Sequence, residues 1–207
     1  MTATTDVGAE WNERYAKPGY AYGTAPNDFL ASVTEQIPKG RVLSLGEGEG
    51  RNAVHLAGLG YDVTAVDVSD VGLEKARRLA IERDAILSTV ATDLATYAIE
   101  PETWDGIISI FCHLPRRLRQ QVHANVVGGL KPGGAFVLEA YTPRQLAFGT
   151  GGPPVRELLV SLEELQQELA PLDLVLARET DRDIAEGRCH YGRSAVVQLV
   201  GVRRRAE

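Results

Sequence analysis

Three groups of residues in this sequence have types and spacings that could do chemistry. They are glycines at alternate positions, carboxylates at the ends of apolar runs, and two histidines that each follow a cysteine. In Val42-Leu43-Ser44-Leu45-Gly46-Glu47-Gly48-Glu49-Gly50-Arg51-Asn52 a strand-like apolar run enters a glycine turn, and a helical pattern follows. Without Cβ atoms the turn can bend sharply and admit a ligand to the main chain. A helix behind it aims free N–H groups at whatever lies above.

The spacing is G-x-G-x-G, with Arg51 where the dinucleotide pattern G-x-G-x-x-G sets its third glycine. The intervening residues are Glu47 and Glu49, whose carboxylates would repel a pyrophosphate resting on the turn. S-adenosylmethionine carries a sulfonium cation and no phosphate, so acidic neighbours suit it. A plain strand-to-helix turn rarely needs three glycines.

Asp67, followed by Val68, stands nineteen positions after Gly48, at the end of the next apolar run. An acid there can accept two hydrogen bonds from ribose hydroxyls. Asp93 ends the third run in the same way. Its carboxylate is placed for an adenine amino group and the Leu94 N–H for the ring; alone, Asp93 reads as a turn cap.

Cys112-His113 follows a fourth apolar run ending at Phe111, and Cys189-His190 lies near the C-terminus. His113 is the best-placed general base and His190 a second candidate. The Cys-His spacing matches no recognised ligand pattern, so no metal is expected. Arg14 and Arg51 could each meet a methionine carboxylate bidentately, and either could equally form a surface ion pair.

The elements that position these residues follow from periodicity. Strands are expected at 41–45, 62–67, 86–91, 106–111, 135–140, 172–179 and 194–202, with helices between most of them. Asn27 should cap a helix carrying Phe29, Leu30, Val33 and Ile37, and Ser69 the helix 71–83. Ser161 and Glu164 form a capping box. Pro115 suits the first turn of a helix, and Lys131-Pro132-Gly133-Gly134 reads as a tight turn. Alternating strands and helices demand a parallel sheet, and the last two strands, lacking a helix between them, must pair antiparallel. The expected fold is therefore α/β: a doubly wound, Rossmann-like, seven-stranded sheet, mostly parallel, with a C-terminal antiparallel hairpin.

With 207 residues the chain has room for one such domain. Residues 1–10 read as a disordered lead, and residues 11–40 as an aromatic lid followed by a helix. A net charge of −6 argues against a nucleic-acid surface, and Arg203-Arg204-Arg205 reads as a solvated tail. The absence of a signal-like start, of a membrane-length apolar run and of a cysteine framework points to the cytoplasm. The oligomeric state stays open.

On these residues the chain resembles the class I S-adenosylmethionine-dependent methyltransferases across residues 11–202. The glycine motif Val42–Gly50, Asp67 as ribose acid, Asp93-Leu94 as adenine pair, the Leu130–Gly134 turn and the terminal hairpin carry the resemblance. Within that class it is most similar to small bacterial enzymes of the tellurite-resistance and thiopurine type. The resemblance implies S-adenosylmethionine as cofactor, held by Gly46, Glu47, Gly48, Gly50, Arg51, Asp67, Val68, Asp93, Leu94, Phe111 and Arg14. It also implies methyl transfer to a small-molecule acceptor by in-line displacement. Ser44 departs from the family, which usually has an aspartate there, and Glu47 or Glu49 is expected to compensate. The alternatives are an NAD(P)-dependent oxidoreductase and a non-catalytic S-adenosylmethionine-binding sensor.

Overall fold

A computed structural model describes residues 7–205. Its seven strands are β1 (Arg41–Leu45), β2 (Asp62–Asp67), β3 (Leu87–Ala91), β4 (Trp104–Ile110), β5 (Leu130–Tyr141), β6 (Leu172–Glu186) and β7 (His190–Arg203). They form one sheet in the order β3-β2-β1-β4-β5-β7-β6. All pairings from β3 to β5 are parallel, and β7 runs antiparallel to both β5 and β6. The fold is the expected Rossmann-like one. Strand order reverses at β1 and β4, and ligands bind beyond the carboxyl ends at such a switch point.

The helices are α1 (Val7–Ala16), α2 (Asp28–Val33), α3 (Arg51–Gly58), α4 (Asp70–Glu82), α5 (Arg116–Gly129) and α6 (Leu162–Glu168). Successive strand side chains point to opposite faces. Leu43 and Leu45 of β1 accordingly join a core with Val122 and Val126 of α5 and Leu165 of α6. Val42 joins Leu30 of α2, Leu56 of α3 and Leu73 of α4 on the other face. The caps are as expected. Asn27 accepts from the Leu30 N–H, Ser69 from Gly72, and Ser161 with Glu164 completes a capping box.

Four expectations need correction. Residues 7–10, assigned to a disordered lead, open α1, whose remaining side chains pack on α4; residues 1–6 lie outside the described residues. Pro115 is the N-cap of α5 rather than part of its first turn. Lys131–Gly134 is absorbed into the start of β5 as an irregularity, with the β4 register shifting between Trp104 and Gly106. The terminal hairpin is far longer than its apolar portions, with Glu186 and His190 still paired near its tip. Its charged stretch hid the strand pattern because those residues serve a buried network rather than solvent. The arginine run stays largely solvent-facing, as expected: Arg204 is exposed although it pairs with Asp173, and Arg203 donates to the Gly128 carbonyl and pairs with Glu102.

Gly50 caps α3 at φ 98°, and a Cβ there would stand 2.6 Å from the Ala76 Cα. Gly58, in the same helix, has open space around it. Gly50→Ala should therefore cost on the order of 1–3 kcal/mol from backbone strain alone. Gly58→Ala should be neutral or stabilising by about 0.5–1 kcal/mol. Urea unfolding of the two variants checks the opposite signs.

Candidate active site

The glycine turn begins where β1 ends. Gly46, Gly48 and Gly50 all have left-handed backbone, at φ 62°, 66° and 98°. A Cβ on Gly46 would reach the Cys112 Sγ at 2.6 Å, so the turn passes tightly against the end of β4. The main chain of the turn is fixed from the side by β2. Asp67 accepts from the Gly48 N–H at 2.8 Å through one oxygen and from the Ser69 N–H at 2.8 Å through the other. Burial raises the Asp67 pKa, and those backbone donors oppose the rise. Val68, half-buried, continues from this corner.

Glu47 has a different position from the one expected. It is buried, accepts from the Asn52 and Ala53 N–H groups at 3.0 Å each, and receives the Ser44 hydroxyl. The side chain thus satisfies the first free N–H groups of α3, which Gly50 has no side chain to cap. Its carboxylate belongs to the scaffold rather than to a ligand face. This also explains Ser44: a hydroxyl at that position donates to Glu47, whereas an aspartate would set two carboxylates together. Burial already pushes the Glu47 pKa up. Glu49 is tied as well, accepting from the Ala21 N–H at 2.6 Å and pairing with Lys75 at 2.8 Å.

These bonds bring the N-terminal segment over the turn. Trp11 and Tyr15 stack at 5.4 Å, Asn12 accepts from Ser69, and Arg14 donates to the Tyr22 hydroxyl at 2.9 Å. A Cβ on Gly48 would meet the Tyr15 hydroxyl at 2.5 Å, so Tyr15 lies directly on the turn. The aromatic stretch is a lid over the glycine corner. Asp93 lies just past the residue that donates to the Asp67 carbonyl. It is exposed and caps the following turn through Ala95, while Leu94 buries its side chain in the core.

Across the switch point, Phe111 sits at φ 53° against Tyr141, with ring centroids 4.6 Å apart. His113 stacks on Tyr141 at 5.5 Å, and His190 from the hairpin meets Phe111 at 4.8 Å and Tyr141 at 5.3 Å. The structure thus brings both candidate histidines together. His113 contacts the Leu158 carbonyl through Nδ1 at 3.1 Å, while its Nε2 is sealed from solvent without a partner among the described residues. Burial lowers its pKa to about 4, so the ring is neutral. Burial also lowers His190, against the pull of Glu186. The Cys112 thiol is pushed up to about 12 by burial and by the nearby Asp67 charge, which makes it an inert wall.

Beneath these rings lies a network that sequence reasoning missed. Asn27 donates to both Glu139 and Glu186 at 2.6 and 2.9 Å. Arg182 pairs with the same two carboxylates at 2.7 and 3.1 Å, and Arg51 pairs with Glu186 at 2.7 Å. Arg51 Nη1 is buried and unpaired among the described residues. The alternation of charges over 178–186 was the only available signal, and it resembles a solvated loop.

The cradle fits an S-adenosyl group. Its polar set is backbone N–H groups, the Asp67 carboxylate and the glutamates behind the turn, whose charge favours a cation over a phosphate. The unpaired Arg51 Nη1 matches a carboxylate.

Comparison with known proteins agrees. A family model described as a methyltransferase domain matches residues 42–134. The probable S-adenosyl-L-methionine-dependent methyltransferase TehB of Haemophilus influenzae is 31% identical over 113 residues, which cover 51% of this chain and 39% of that protein. The chain thus spans less than half the length of that relative. The probable thiol methyltransferase 2 of Arabidopsis thaliana is 27% identical over 169 residues, covering 78% of this chain and 71% of that one. The crystal structure of TehB from Haemophilus influenzae superposes with a TM-score of 0.69 at 19% identity, covering 95% of this chain and 67% of that one. The fold is Rossmann-like, and residues 42–134 match a methyltransferase domain. In that stretch the chain is similar to S-adenosylmethionine-dependent methyltransferases such as TehB.

Two predictions follow from the buried carboxylates. Ser44→Asp should lower the urea midpoint at pH 7, and the deficit should shrink toward pH 4, where protonating one carboxyl relieves the repulsion with Glu47. Glu186 titrates near 2 rather than 4.5, because His190, Arg51 and Arg182 outweigh the upward push of burial. A depressed carboxylate stabilises the fold above its unfolded pKa and loses that contribution as pH falls through its folded one. Stability should therefore decline from about pH 4.5 to about pH 2, and Glu186→Gln should flatten part of that decline in pH-dependent denaturation.

Proposed function

We propose that the protein transfers the methyl group of S-adenosylmethionine to a small-molecule acceptor by in-line displacement. The observation that carries this reading is the corner where Asp67 receives the Gly48 and Ser69 N–H groups within an acidic glycine turn. A relative named as a probable thiol methyltransferase supports a small acceptor.

The bound cofactor supplies an activated methyl on a good leaving group. The remaining work of the chain is positioning and water exclusion. Asp67 holds the ribose hydroxyls while keeping Gly48 in place. Arg51 Nη1, with Arg14 as a second cation at the lid, receives the methionine carboxylate. Asp93 and the Leu94 N–H meet the base. Tyr15 must leave the face of Gly48 to admit the cofactor, and Trp11, Tyr15 and Tyr22 then close behind it. Phe111, His113 and His190 face the acceptor side. Gly46, Gly50 and Glu47 shape the turn.

An oxidoreductase would use the same turn for a dinucleotide, against the repulsion of its carboxylates. Thermal shift separates the two: S-adenosylhomocysteine should raise Tm in proportion to its occupancy, and NAD should not. Stabilisation by NAD alone would overturn the proposal. Asp67→Ala should weaken S-adenosylhomocysteine binding by roughly 1–3 kcal/mol through lost hydrogen bonds to a charged group. Calorimetry on the folded variant checks this, and unchanged affinity would remove Asp67 from the site. Binding without methyl release over a panel of thiols, amines and phenols would favour a sensor.

A further inference from the structure

The rings beyond β4 and β5 carry a feature that methyl-donor binding leaves unexplained. His113 Nδ1 faces the Leu158 carbonyl, which accepts only a proton-bearing nitrogen, so Nδ1 holds the hydrogen. Nε2 is then a bare lone pair, sealed from solvent and unpartnered among the described residues. Leaving a buried acceptor unmet is costly, so it marks a missing donor. The Tyr141 hydroxyl beside it faces Ser194 without completing a hydrogen bond.

The surroundings restrict what that donor can be. The walls are ring faces: Phe111, Tyr141 and His190 lie within 4.6–5.3 Å of one another, centroid to centroid. The carboxylates below, Glu139 and Glu186, are already paired with Arg182 and Arg51. With both carboxylates paired, no acid is free to balance an ammonium. An oxyanion has no hydrogen to donate to Nε2.

We propose that His113 Nε2 receives the hydroxyl of an uncharged, flat acceptor, of the phenol type, as the methyl-accepting group. This rests on the methyltransferase reading above and names its acceptor class. A thiol is only a weak S–H donor toward Nε2, whereas a hydroxyl is a strong donor and stays protonated at neutral pH. When the hydroxyl oxygen gains the methyl, its O–H electron pair returns to oxygen and the proton moves to Nε2. The electron pair of the broken methyl–sulfur bond stays on sulfur. An alkylated hydroxyl is strongly acidic, so a weakly basic imidazole suffices as the base.

The segment around Gly151 and Gly152 covers the Tyr141 ring, and the proposal requires it to move aside to admit the acceptor. A Cβ on Gly152 would come within 2.5 Å of the Tyr141 ring, so glycine there lets backbone lie on the aromatic face. Gln145 holds this flap by donating to Thr150 and to the Gly151 carbonyl.

The test is calorimetry on the full chain saturated with S-adenosylhomocysteine, using phenol, toluene, benzoate, benzylamine and thiophenol as probes. Phenol should bind, and toluene, benzoate, benzylamine and thiophenol should each bind roughly tenfold or more weakly, since a site built for a hydroxyl rejects analogues that lack one. His113→Phe, which keeps a ring, should lower phenol affinity by a similar factor and leave S-adenosylhomocysteine affinity unchanged. In the wild type, phenol should shift the His113 Nε2 nitrogen resonance. Equal binding of toluene, tighter binding of benzoate, benzylamine or thiophenol, no probe binding, or an unmoved resonance would each overturn the acceptor class. Failure of S-adenosylhomocysteine itself to bind would instead overturn the underlying reading, and this one with it.

Discussion

The site depends on a single carboxylate. Asp67 joins the end of β2 to the glycine turn after β1 by accepting from Gly48 and Ser69 at once. It acts with Glu47, which ties the turn to the N-terminus of α3, to set where Gly48 lies. Through Asp67, the turn, the N-terminus of α4 and the lid residue Asn12, bound to Ser69, share one reference point. A charged acceptor with two backbone donors is among the stronger arrangements available to a partly desolvated acid. In the proposed function the same acid also receives the ribose, so anchoring and ligand recognition would draw on one group.

A second constraint acts from the other direction. The long β6–β7 hairpin carries Arg182, Glu186 and His190 past the sheet edge, where they meet Asn27, Arg51 and Glu139. Breaking one partner of such a buried set costs far more than an exposed pair does. The network locks the N-terminal segment, the turn and the hairpin into one arrangement. His190 thereby stands beside Phe111 and Tyr141, although nearly eighty residues separate it from the first of these.

Much of this was legible in the sequence. Alternating apolar runs gave all seven strands, and the glycine spacing with Asp67 gave the corner where the Asp67 carboxylate meets the turn, because each depends on short-range periodicity. Glu47 was misassigned because spacing shows that a carboxylate is near the turn, not which way it points. Only the geometry shows it turned inward to α3 and held by Ser44. The hairpin tip was missed for a related reason. Buried salt bridges put charges where a strand pattern calls for apolar residues, so the stretch reads as a loop. The meeting of His113 with His190 depends on strand order, which local pattern does not encode.

The claim that the Gly48–Asp67 corner holds the S-adenosyl group is tested most directly by backbone amide NMR during titration with S-adenosylhomocysteine. Saturable shifts are expected at Gly46, Gly48 and Ser69, with parallel changes at Tyr15 as the lid yields, and none with NAD. Shifts confined to other parts of the chain, or an unchanged Gly48 amide at saturating ligand, would contradict the account.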